Sequence, residues 1–142
     1  MKMYLVDSDH ARAGQVAAGL QRNGLALDVA LYPDDRHLIA ALFPEGPSAR
    51  RSVGLPLLIL VDISGLAAGG AEAVLSRIRT DETTRHVPVI ILAPADTAAA
   101  ARRWYDLGCN AFIAKPADSV ALEGVVRKLA EFLAMMAIPG SE

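Results

Sequence analysis

The chain has 142 residues, a formal net charge of -2 and 53% hydrophobic residues, which is a one-domain length with ample apolar content for a core and excludes a disordered chain. No apolar run reaches the roughly 18 residues of a membrane helix, and no basic block offers a footprint for nucleic acid. The lone cysteine, Cys109, cannot form an internal disulfide, and the expected location is cytoplasmic, with neither nucleic acid nor membrane as partner.

The first elements follow from periodicity. Residues 3–6 are an apolar run ending at Asp7 and read as a strand. Ala13, Val16, Ala17 and Leu20 recur at helical spacing, and Gly24 stops that helix. Leu27, Val29 and Leu31 alternate with Asp28 and Ala30, as in an edge strand. Pro33 suits the first turn of a second helix, with Asp34 and Asp35 at its positive end and Leu38, Ile39 and Leu42 as its inner stripe. Residues 43–56 hold three prolines and two glycines and read as an unusually long loop.

Residues 57–61 are continuously apolar and end at Asp62, the pattern of a strand covered on both faces of a parallel sheet. A loop over 64–70 leads to a helix with the stripe Ala71, Val74, Leu75 and Ile78. Residues 87–93 are another buried strand. Asp96 is expected to cap the next helix, which ends near Leu107 and Gly108. Residues 111–114 form a fifth strand closed by Lys115 and Pro116, and Asp118 or Ser119 opens the last helix. Five strand–helix repeats imply an α/β fold, a doubly wound, five-stranded parallel sheet of flavodoxin-like order 2-1-3-4-5. The single domain spans 1–142, with a core of about 3–134 and an apolar C-terminal extension over about 130–142.

In such a sheet the ligand site lies beyond the C-terminal strand ends at the topological switch point, between strands one and three. Asp7 and Asp62 stand just past those two strands, with Asp9 two positions on. Paired carboxylates repel unless a cation joins them, and Mg²⁺ suits such donors. A carboxylate there can attack a phosphoryl group, and Lys115, ending strand five, can reach back to neutralise a phosphoryl oxygen.

At these residues the chain resembles the receiver domains of response regulators, a match over about residues 3–134. It is carried by 4–9 (Tyr-Leu-Val-Asp-Ser-Asp), 58–63 (Leu-Ile-Leu-Val-Asp-Ile), Gly69 and Gly70, 87–93, and 107–116, where strand five runs into Lys115 and Pro116. The resemblance implies a phosphorelay protein with Asp62 as phosphoacceptor and Lys115 on the phosphoryl group. It implies an Mg²⁺ site from Asp7, Asp62 and the main-chain carbonyl of Ser64, a cis peptide before Pro116, and switch positions at Ala93 and Phe112. The long loop and apolar tail resemble single-domain regulators paired with phytochrome-type histidine kinases. Such regulators often dimerise through helix four, strand five and helix five. Trp104, Tyr105, Phe132, Met135 and Met136 are the interface candidates.

Two residues depart from the family pattern. Ser8 stands where a second acid follows Asp7, which weakens the Mg²⁺ site and leaves Asp9 as the further candidate ligand. Ala93 stands where a Ser or Thr hydroxyl normally holds the phosphoryl group. A hydrogen bond to a charged group contributes roughly 1.5–3 kcal/mol, comparable with a typical switching free energy of about 1–3 kcal/mol. A pseudo-receiver that binds partners without phosphorylation is therefore the alternative. A remoter alternative is a haloacid-dehalogenase-like phosphohydrolase, with Asp7 as nucleophile and Asp9 as acid–base.

Overall fold

The computed structural model describes residues 2–22, 28–45, 55–116 and 118–135. Five strands, β1 (Lys2–Val6), β2 (Asp28–Tyr32), β3 (Leu58–Asp62), β4 (Val89–Pro94) and β5 (Ala111–Lys115), form one sheet. They pair in parallel in the order β2-β1-β3-β4-β5, as strand–helix alternation requires. The helices are α1 (His10–Arg22), α2 (Asp35–Leu42), α3 (Gly70–Thr80), α4 (Ala101–Leu107) and α5 (Ser119–Met135).

Side-chain alternation along the strands divides the core in two. Tyr4, Val6, Ile59, Val61, Val89 and Ile91 face one way and pack on Leu38 of α2, Val74, Leu75 and Ile78 of α3, and Trp104 of α4. Met3, Leu5, Leu58, Leu60, Ile90 and Leu92 face the other way, onto Val16 and Leu20 of α1 and Leu129 and Leu133 of α5. All five residues of β3 are buried, because α1 and α5 cover one face and α2, α3 and α4 the other. The register pairs Val6 with Val61 and Asp62 with Leu92, so β1 and β3 end side by side.

Three local expectations are corrected. Pro33 precedes α2 rather than entering its first turn, because the Asp34 side chain accepts the His37 N–H and so takes the N-cap position. Asp96 caps no helix. It lies in a 3₁₀ helix, Ala95–Ala100, that precedes α4, and neither start has a side-chain cap. The Lys115–Pro116 bond is not cis, since no described peptide bond is; trans is the lower-energy isomer before proline by about 0.5–1 kcal/mol. Gly108 does end α4, at φ 110°, whereas residues 46–54 of the long loop lie outside the described residues.

The entrances to β4 and β5 are tied to α3 by one side chain. Arg79 donates to the carbonyls of Gly108 (2.8 Å), Val87 (2.8 Å) and Arg85 (3.0 Å) and to Asn110 Oδ1 (2.6 Å). Asn110 Oδ1 in turn accepts the Val89 N–H at 2.8 Å. Arg79→Ala is expected to lower the unfolding free energy by about 3 kcal/mol, the loss of several bonds to one charged donor. Arg79→Lys should recover only the smaller part, because an ammonium cannot fork. Urea denaturation of the two variants checks both values.

Candidate functional site

Asp7 and Asp62 leave adjacent strands at the switch point and are both buried, with 3% and 1% of their surfaces exposed. Burying two carboxylates together is costly unless each is paired. The backbone contributes first: the Asp9 N–H donates to Asp7 Oδ1 at 2.9 Å, and the Ser64 N–H to Asp62 Oδ1 at 2.9 Å. Two cations then complete the pairing.

Lys115, at the end of β5, crosses the end of β4 and places Nζ 2.6 Å from Asp62 Oδ2 and 3.1 Å from Ser64 Oγ. Its side chain is itself only 10% exposed. The second cation is Arg12, in the first turn of α1. Its Nε donates to Asp7 Oδ2 at 2.9 Å and its Nη2 to Asp7 Oδ1 at 2.7 Å, a two-pronged clamp. The same Nε lies 3.5 Å from Asp62 Oδ2, so one guanidinium spans both acids. The hydrogen bond to Asp7 pushes the Arg12 pKa further up, against burial, and the acids around it add to the rise. A guanidinium is not deprotonated in proteins, so Arg12 is a fixed positive charge in the site.

The sequence reading placed Asp7, Asp62, Ser64 and Lys115 together, and they are together here. It missed Arg12. The available signal was a basic residue in the first turn of a helix, where the helix dipole disfavours positive charge unless acids hold it. Asp9 is not a member of the buried pair. Its exposed carboxylate accepts the Arg12 N–H at 3.0 Å and so caps α1, because its strand-end position makes it the residue before the helix. With Asp7 clamped by Arg12 and Asp9 spent on a cap, the nucleophile and acid–base pair of the phosphohydrolase alternative is not laid out.

Ala93 is fully buried at the end of β4 and brings no hydroxyl toward Asp62. Phe112 is half-buried against the core beside α4, and its N–H donates to the Tyr105 hydroxyl at 3.1 Å. Among the interface candidates Trp104 is corrected: it is 5% exposed and belongs to the core, because its face of α4 points at the sheet. Tyr105, Phe132 and Met135 are exposed, whereas Met136 lies outside the described residues.

The donors expected to hold Mg²⁺ are engaged otherwise. Both oxygens of Asp7 are on Arg12. The Ser64 carbonyl accepts the Ser8 hydroxyl at 2.9 Å, so the residue replacing the second acid brings a donor to the main-chain ligand. Gly65 makes room for this contact: its φ is +79°, and a Cβ there would collide with Ser8 Oγ. No group of three or more His, Cys, Asp or Glu residues suited to a metal occurs among the described residues. As arranged, these residues do not fit a divalent cation.

Comparison with known proteins points the same way as the fold. No family model matches the chain. Over 90 residues it is 32% identical to the response regulator PleD of Caulobacter vibrioides, a match covering 62% of this chain and 20% of PleD. The chain thus spans only a small part of that relative. The structure superposes on the phosphorylated cyanobacterial phytochrome response regulator RcpA with a TM-score of 0.83 and 28% identity, covering 98% of each chain. It superposes on a response regulator receiver domain from Rhodospirillum rubrum with a TM-score of 0.86 and 27% identity, covering 100% and 99% of the two chains. A Mn²⁺-bound form of the response regulator Rcp1 shares the fold, with a TM-score of 0.83, 21% identity and 98% and 99% coverage.

A five-stranded parallel sheet of this order is the CheY-like fold, and the structures on which it superposes are response regulators and their receiver domains. Among the described residues, no helix is long and apolar enough to cross a membrane.

Removing Lys115 leaves two buried acids facing one cation. Lys115→Met is expected to lower stability by about 3 kcal/mol, the cost of breaking a buried pair from one side. Lys115→Met combined with Asp62→Leu should be markedly less destabilised. Denaturant midpoints of the two proteins decide it, and equal losses would show that Lys115 does not compensate Asp62.

Proposed function

We propose that this receiver domain serves a two-component phosphorelay, with Asp62 accepting a phosphoryl group from a histidine kinase. The observation that carries the reading is the Lys115 Nζ contact of 2.6 Å to the buried Asp62 carboxylate. In the transfer, an Asp62 oxygen attacks phosphorus as the bond from phosphorus to the kinase imidazole nitrogen breaks. The nitrogen keeps the bonding pair, and Asp62 becomes an acyl phosphate. Lys115 stands at the oxygen that reacts and is placed to meet a phosphoryl oxygen with its charge. Mg²⁺ enters this reading only by displacing Arg12 from Asp7, so no step is routed through it.

Output in this reading is protein contact. A phytochrome-type kinase is the partner favoured by the 28% identity to RcpA. A homodimer through α4, β5 and α5 is supported by Tyr105, Phe132 and Met135, all exposed, with Met135 at 85%. A second reading, a phosphorylation-independent interaction module, is favoured by Ala93, which offers a methyl group where a switch would need a hydroxyl.

Intact-mass spectrometry after incubation with acetyl phosphate tests the first reading. One added phosphoryl group is expected on the wild type and none on Asp62→Asn. An unmodified wild type, in samples quenched fast enough to retain an acyl phosphate, would overturn it in favour of the second.

A further inference from the structure

We infer that Arg12 is a built-in counter-ion: the acid pair of this receiver is neutralised by the chain's own guanidinium, which excludes a divalent cation. The inference rests on reading Asp7 and Asp62 as the acid pair of a receiver, and not on the phosphorylation of Asp62.

A divalent ion between two strand-end carboxylates has two tasks. It cancels their repulsion, and it holds their oxygens in a fixed relation. Arg12 does both. Its Nε and Nη2 reach the two oxygens of Asp7 at 2.9 and 2.7 Å, and Nε also lies 3.5 Å from Asp62 Oδ2. With Lys115 on Asp62, the buried site holds two acids and two cations and is balanced without an ion from solution. The guanidinium is tethered to α1 and stays charged, so dilution cannot remove it.

Entry of a divalent cation would require breaking both bonds to Asp7. The incoming ion would then meet a poor ligand set. Mg²⁺ demands near-octahedral oxygen donors and gives up its waters reluctantly. Asp7 and Asp62 would remain as ligands, and the Ser64 carbonyl would have to share its oxygen with the Ser8 hydroxyl, 2.9 Å away. Ser8 itself replaces a carboxylate with a neutral group. Arg12 and Ser8 thus act together: one supplies the positive charge, and the other puts a neutral hydroxyl, donating to the Ser64 carbonyl, where an acid would stand.

The test is binding of Mn²⁺ alone, read from the electron paramagnetic resonance signal of the free ion, with melting temperature read in parallel. No phosphoryl donor is present, so failure of Asp62 to take phosphate and failure of this inference are separate results. The wild type is expected to leave the free Mn²⁺ signal unchanged at about 1 mM, the weak end of protein cation sites. Arg12→Ala should melt lower than the wild type and recover on adding Mn²⁺, as linkage requires for an ion that binds only the folded state. Arg12→Ala with Ser8→Asp should bind at least ten times more tightly than the wild type, and adding Asp62→Asn should abolish that gain. If Arg12→Ala does not fold, Arg12→Gln carries the same expectations. Mn²⁺ affinity in the wild type within a factor of two of that in the Arg12 variants would overturn the inference.

Discussion

The bond between Arg12 and Asp7 is the constraint around which the site is organised. Two carboxylates lie side by side, out of water, because the sheet order makes β1 and β3 neighbours, with Asp7 just past the end of β1 and Asp62 the last residue of β3. A low-dielectric environment punishes any unpaired charge there. Lys115 compensates Asp62 from the far side of the site, and Arg12 compensates Asp7 from helix α1. Moving any one of the four leaves a net charge buried. For that reason the position of α1 on the sheet is part of the site as well as part of the fold.

Smaller features serve the same arrangement. Asp9 caps α1 and so fixes the turn from which Arg12 projects. Gly65 adopts a left-handed conformation that few other residues tolerate, which brings the Ser64 carbonyl within reach of Ser8. Arg79 fixes the entrances of β4 and β5 to α3, and β5 carries Lys115. The switch side of the site is quieter. Ala93 offers only a methyl group at the end of β4, and the Phe112 N–H donates to the Tyr105 hydroxyl.

Much of this was legible before any coordinates. Strand ends are visible in sequence because a run of buried residues stops at a polar one, and parallel topology then decides which ends are neighbours. Asp7, Asp62 and Lys115 were found in that way. Arg12 was not, because the direction of a long side chain in a first helical turn depends on how the helix docks. Trp104 was misplaced because the resemblance named helix four as an interface without saying which of its faces meets the sheet, and Trp104 lies on the face that does. Asp9, two positions past Asp7, looked like a further ligand, yet its position before a helix made it a cap.

The most direct test of this account is a double-mutant cycle on Arg12 and Asp7, with unfolding free energies measured for Arg12→Met, Asp7→Asn and the pair. A buried, two-pronged ion pair should show a coupling of about 2 kcal/mol or more that persists in high salt. A coupling below about 0.5 kcal/mol, the level of an exposed surface pair, would mean that Arg12 does not hold the acids together.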